Sequence, residues 1–359
     1  MHDKRWFVLD LFGDTPRVIG TAGRARPHTS LEREVRSRLP YHLSTQVLAA
    51  LKAGVHEAPH GVAAVAFGDA TTLALSGIFG PDGQRYGVSV WLGGIDEDPG
   101  TPPDAVGFAW DSTRRLIMLP PTLPPHLAQA LPEGRSSLTT PEFFRVFDVD
   151  DGLGLIRTLI DPRPGAEFEC TARFQRAGEA YSALHLVVSS GHADGDRWRG
   201  IAHDILPPDE TWPSLESATL AALPKLSPEN THWVLMDIAK MRLIRWITDG
   251  LDEVQWKGQV DDRDTPHPDD VERIFAAALP VFTGEAQSGE VRGVRLRRRG
   301  GGINGAPRWV VVDTDGALLN DHHEQGQKLG LIRMRVVGTS DDPDPVPVED
   351  PGHPGIGDT

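Results

Sequence analysis

One cysteine, Cys170, stands in 359 residues, so an internal disulfide framework is excluded and the composition fits a reducing compartment. Long hydrophobic runs are missing as well: no stretch approaches the roughly 20 apolar residues that a membrane-crossing helix needs. Basic residues are short in number, 36 Lys and Arg against 51 Asp and Glu, giving a net charge of −15. Such a charge repels phosphate backbones and anionic lipid surfaces, so neither nucleic acid nor membrane is an expected partner. The opening segment Met1–Phe12 carries Lys4 and Arg5, but Asp10 breaks its short apolar run. It reads as a first strand and not as a signal peptide, and a cytoplasmic location is expected.

Catalytic motifs are also lacking. The Gly93–Glu97 run (GGIDE) sits in a stretch rich in proline and acid and not in a hairpin that could hold a nucleotide. The glycines of Gly300–Gly305 follow a strand-like run and precede another, whereas a phosphate loop must open a helix whose amides face the anion. No nucleophile-elbow context surrounds any serine. Neither an enzyme nor a bound cofactor or metal is expected.

What the chain does contain is one pattern of elements three times over. Each copy opens with a hairpin: Trp6–Leu11 with Arg17–Ile19, Phe108–Trp110 with Leu116–Leu119, and Trp233–Met236 with Leu243–Trp246. Some forty residues on, each reaches an amphipathic helix, and three strand-like runs follow. In the first copy the helix places Val47, Leu48, Leu51 and Val55 on one face. In the second, Leu153, Ile156 and Ile160 follow the acidic entry Asp148–Asp151. In the third, Pro268 suits a first helical position, Asp269 and Asp270 suit the positive end of the helix dipole, and Val271, Ile274, Phe275 and Ala278 share a face. Strict alternation of Phe168, Cys170, Ala172 and Phe174 with polar residues marks a half-buried antiparallel strand, which makes Cys170 a core thiol. Pro- and Gly-rich breaks at Gly93–Asp104 and Leu206–Asn230 separate the copies, and Ser214–Leu223 could form a short connecting helix. The expected domains are residues 1–94, 105–206 and 231–338, followed by a tail over 339–359 too poor in apolar residues to order itself.

Two strands, a helical middle ending in a longer helix, then three antiparallel strands is the order found in PAS and GAF-like sensory domains. The third copy resembles a PAS domain best. Its His267-Pro268-Asp269-Asp270 run precedes the long helix, and RGVRLRRR with RWVVVDTDG is similar to the closing hairpin of many PAS domains. In the second copy FECTARFQ through DRWRGIAHDI is similar to that hairpin and final strand, and the first copy matches in element order. Taken whole, the chain resembles an uncharacterised actinobacterial family of three-lobed PAS/GAF-like proteins. The resemblance implies an α+β architecture of three consecutive domains, each an antiparallel sheet of about five strands with helices on one face. It also implies a possible ligand pocket between sheet and helices. Sensors of this kind usually feed an output domain, and the three copies leave no room for one.

The expected function is therefore non-catalytic sensing: binding of a small-molecule ligand or of an unidentified signalling protein, with a homodimer as the expected assembly. An interaction scaffold without ligand, or an enzyme with a site between lobes, are the alternatives. Tryptophans Trp233, Trp246, Trp256 and Trp309 cluster in the third copy, so Trp246, Trp256, His267, Phe275 and Trp309 are the candidate ligand-binding residues. A fully packed core is the competing use of the same rings. Arg295 and Arg297 alternate away from Val294 and Leu296 and are expected on a solvated sheet face.

Overall fold

The computed structural model describes residues 6–67, 71–131, 134–160, 163–175, 181–190, 197–206, 215–238, 242–256, 265–303, 305–319 and 329–344. Three antiparallel sheets, each with its own helices, make three α+β lobes.

In the first lobe β1 (Trp6–Asp10), β2 (Arg17–Thr21) and β3 (Arg24–Ser30) lead into α1 (Leu31–Arg38) and α2 (Tyr41–Gly54). Then come β4 (Ala63–Phe67), β5 (Thr71–Phe79) and β6 (Arg85–Gly94). The second lobe holds β7 (Ala105–Asp111), β8 (Leu116–Met118), α3 (Pro125–Ala130), β9 (Ser137–Thr139), α4 (Thr140–Val146), β10 (Asp148–Val149) and α5 (Gly152–Ile160). It closes with β11 (Glu167–Gln175), β12 (Tyr181–Ser189) and β13 (Arg197–Ile205). A connecting helix, α6 (Leu215–Ala222), leads to the third lobe, which has β14 (Thr231–Asp237), β15 (Arg242–Trp246), α7 (Pro268–Phe282), β16 (Gly289–Arg297), β17 (Trp309–Leu318) and β18 (Leu329–Ser340).

The third sheet runs β15-β14-β18-β17-β16, and the same order recurs as β2-β1-β6-β5-β4 and β8-β7-β13-β12-β11. The expectation of about five strands is met in the third lobe alone. β3 widens the first sheet to six, and β9 and β10 widen the second to seven. These added edges are short or, in β3, interrupted by Pro27, and proline is tolerated at a sheet edge because no ladder donor is needed there.

Each lobe buries a cluster between sheet and helices. In the first, Phe7, Leu9, Val88 and Val90 meet Val47, Leu51 and Val55, as the helical spacing predicts. In the second, Cys170, Ala172, Phe174, Leu184 and Trp198 meet Leu155 and Leu159 of α5. Cys170 is buried as expected, and burial pushes its thiol well above the ordinary value. In the third, Val294, Leu296, Val310 and Val312 meet Ile274, Ala278 and Phe282 of α7.

The lobes also bury surface against one another. Alternation sends Val8 and Ile19 of the first sheet, and Val187 and Ile201 of the second, to a common cluster between the two sheets. Glycine permits the approach: a Cβ on Gly107 would stand 2.6 Å from the carbonyl oxygen of Phe79. Between the second and third lobes Leu153, Ile156 and Ile160 pack on Leu235, Ile244 and Leu329. The face of α5 read from the sequence is thus mainly its inter-lobe face, while Leu155 and Leu159 cover its own sheet. Arg115, whose backbone is left-handed at φ 58°, crosses the same boundary to Asp237 at 2.7 Å, both side chains 3% exposed. No helix of the described residues is long and apolar enough to cross a membrane.

Two strand ends refine the expected breaks. Gly93 and Gly94 belong to β6 and not to a linker, and β18 continues to Ser340, beyond the expected edge at 338. Residues 341–344 of the expected disordered tail are held against the third sheet, while 345–359 lie outside the described residues.

Candidate functional site

The five aromatic and imidazole candidates do not converge on one pocket. Trp246 and Trp256 meet edge to face, ring centres 5.3 Å apart, on the side of the third lobe facing the second. His267 and Trp309 form a separate pair, with centres 4.8 Å apart. Phe275 lies on the outer side of α7 and is 37% exposed. Trp309 is fully buried but on the sheet face opposite the α7-covered core. It pairs across the strands with Arg297, one residue out of phase with the Leu296–Val310 pair that faces the helix. The expectation that Phe275 and Trp309 line a cavity between α7 and the sheet is therefore corrected. A helix shows one stripe to its sheet, and Ile274, Ala278 and Phe282 occupy it.

The cavity that does lie between α7 and the sheet measures about 60 Å³, and one beside α5 in the second lobe about 30 Å³. Ligand pockets run to about 300–1,000 Å³, so these hold at most a few waters. Among the described residues, the larger concavities lie between the lobes.

The larger, about 510 Å³, opens between the first and second lobes. The first lobe contributes Phe12 and the Pro81–Tyr86 turn; the second contributes Trp110, Arg114, Arg197 and Arg199. β13 places Arg197 and Arg199 on one side by alternation while Trp198 turns into the core. The Arg199 guanidinium lies 5.6 Å from the centre of the Tyr86 ring. Burial, then the nearby Asp82 carboxylate, pushes the Tyr86 phenol above its ordinary range, so it stays a protonated donor. Two of the three carboxylates here are committed to their own turns. Asp82 accepts from the Gln84 amide at 3.0 Å and the Tyr86 hydroxyl at 3.2 Å. Asp111 accepts from the amides of Thr113 at 3.0 Å and Arg114 at 2.8 Å. Among the described residues, Arg114, Arg197 and Arg199 form no salt bridge. The uncommitted charge of the cleft is cationic, apart from Asp14 at its rim.

The second cleft, about 340 Å³, lies between the second and third lobes and is lined by Trp246 and Trp256. Four of its charges pair, Arg135 bonding both oxygens of Glu142 at 3.0 and 3.1 Å and Arg145 meeting Asp252 at 3.2 Å, and Arg299 lines it as well. Neither cleft is lined by a described histidine, cysteine or lysine.

Among the described residues, Asp104, His126 and Asp204 have the spacing to hold a cation. Each imidazole nitrogen of His126 already faces a carboxylate, Nδ1 to Asp104 at 3.1 Å and Nε2 to Asp204 at 3.0 Å. A cation would have to displace one of them.

No sequence motif marks the arginines of the first cleft as a site. The Arg-Trp-Arg run in β13 signals two cations on one side of a strand, but nothing local signals the first-lobe wall they face.

No family model matches the chain, and no curated protein matches it. Among solved structures, an uncharacterised protein from Mycobacterium tuberculosis is similar with a TM-score of 0.69 at 17% identity, over 93% of this chain and 97% of that one. The three-lobed fold, including the arrangement of the lobes, is thus shared at full length with that protein. The Escherichia coli DhaR(N)–DhaL complex matches over 56% of this chain with a TM-score of 0.18, which establishes no common fold.

Proposed function

We propose that this protein is a non-catalytic sensor of the PAS/GAF-like kind that binds a small organic anion between its first two lobes. The observation that carries the reading is the cleft of about 510 Å³ in which Arg114, Arg197 and Arg199 stand without salt bridges beside the Tyr86 hydroxyl and the Phe12 ring. Guanidinium groups recognise carboxylate or phosphate through paired donors, and Phe12 offers an apolar wall beside them. Of the lining hydroxyls, Ser190 donates to a backbone carbonyl, and Tyr86, although bonded to Asp82, is kept protonated by burial, which supports binding over catalysis. The element order of each lobe, and the shared strand order within the sheets, support the PAS/GAF-like assignment.

Because the two walls come from different lobes, an anion bound there stabilises one lobe arrangement by its differential affinity for it. The output then passes to a partner protein that distinguishes those arrangements.

Thermal unfolding in the presence of a panel of aromatic carboxylates and nucleotides tests the proposal. A bound anion raises the midpoint in proportion to its occupancy. Arg197→Ala/Arg199→Ala should abolish the rise while leaving the unliganded midpoint nearly unchanged, since neither residue pairs with a carboxylate. No stabilisation by any anion, together with native mass spectra free of retained ligand, would count against it.

A further inference from the structure

The third lobe carries a groove that the anion cleft does not involve. His267, Arg295, Arg297 and Trp309 form it, and residues 340–344 of the same chain lie in it. The expected solvated arginine face is in fact covered: the Arg295 and Arg297 side chains are 18% and 13% exposed.

The groove side is built and the occupant side is loose. Trp309 is fully buried and donates its indole N–H to the carbonyl of Asp342 at 2.7 Å. His267, 3% exposed, points Nε2 to the carbonyl of Pro343 at 3.4 Å. Arg295 is aimed beforehand by Asp270, which takes its Nε at 2.9 Å and Nη2 at 3.1 Å; Nη1 then meets Asp342 at 2.9 Å. Arg297 stacks 4.8 Å over the Trp309 ring and holds both oxygens of Asp344 at 3.0 and 2.9 Å. On the other side, the Asp342 and Asp344 side chains are 52% and 47% exposed.

The chemistry read by these four residues is specific. Carboxylates two positions apart point the same way from an extended chain and reach Arg295 and Arg297. The backbone between them is met at its carbonyls, so the residue at Pro343 need offer no amide hydrogen. Half-exposed ion pairs hold the segment weakly, so it can exchange.

We propose that this groove is a binding site for an extended acidic segment of the Asp-Pro-Asp type on a partner protein, and that residues 340–344 are its competitor in cis. Tethering gives the chain's own segment a high effective concentration, so a partner docks only where it offers more contact or where the segment is released. The surface for an output partner would then lie on the third lobe, away from the anion cleft.

The test uses the full chain and a fluorescein-labelled peptide with the sequence of residues 340–346, followed by anisotropy. Asp342→Ala/Asp344→Ala should bind the peptide at least about tenfold more tightly than the parent, because the competitor has lost both charges. Adding Arg297→Ala should return affinity to the parent level or below, and Arg297→Lys, which keeps charge but loses the paired donors, should fall between. A peptide with Asn for each Asp should not bind. Equal affinity for the parent and the double variant, or binding indifferent to both Arg297 substitutions, overturns the proposal. So does a parent that is dimeric through exchanged segments in light scattering, which would make a second copy the occupant. None of these outcomes bears on anion binding between the first two lobes.

Discussion

Asp270 shows how single side chains settle a local structure in this protein. Burial by itself would raise its pKa, but hydrogen bonds from the Arg295 side chain and amide and from Arg273 outweigh burial and bring it down to about 2. A carboxylate depressed in the folded state contributes stability above its unfolded value, and that contribution is lost as pH falls through the folded one. The window lies between about pH 4 and pH 2, and the contribution is on the order of 1–2 kcal/mol. Unfolding at stepped pH should therefore show a loss across that window, and Asp270→Asn should be destabilised at neutral pH with a flatter profile there. An identical pH profile in the variant would refute this account. Sequence placed Asp270 at a helix start, where the dipole favours an acid. Its second role, aiming Arg295 from 25 residues away, could not be read locally.

At the scale of elements, periodicity found the long pieces and missed the short ones. α2, α7 and β11 carry enough turns or alternations to declare themselves. β9 and β10, of three and two residues, are too short to show a period, so sheet widths were not legible. Which face of an element is buried was legible, but not what it is buried against. α7 makes the point: its N-terminal signals hold and Ile274 and Ala278 face the sheet as the spacing predicts, but Phe275 points outward and Phe282 completes the stripe. Phe275→Ala should therefore cost less than about 1 kcal/mol, as for an exposed residue. Trp309→Ala should cost about 3–5 kcal/mol, the usual range for a buried large ring. Denaturant unfolding of both variants checks the pair, and a larger cost at Phe275 would return it to the core.

At the scale of the whole molecule, the lobes are joined by packed surfaces as well as by connections. Arg115 and Asp237 are 122 residues apart in sequence and nearly inaccessible in the boundary between the second and third lobes. Removing one partner of such a pair leaves a buried uncompensated charge, at a cost of about 3–5 kcal/mol. Asp237→Ala should lower the unfolding midpoint and loosen the third lobe, so that limited proteolysis cuts the connection around residues 207–230 sooner than in the parent. An unchanged cleavage rate would mean that the apolar contacts of Ile156 and Leu235 hold the boundary without the ion pair.

The sequence alone determined the three-fold repetition, the α+β character of each copy, the principal helices and the burial of Cys170, because these follow from periods of two and 3.6 residues along one stretch of chain. Tertiary structure decided where binding surfaces lie. Close packing leaves only small cavities within the described lobes, and the larger concavities lie where two lobes meet. The arginine stripe on β16 was visible as alternation, yet its cover of aspartates became apparent only once β18 carried the chain back across the sheet. Such placements depend on how distant surfaces fit together, and no local period encodes that.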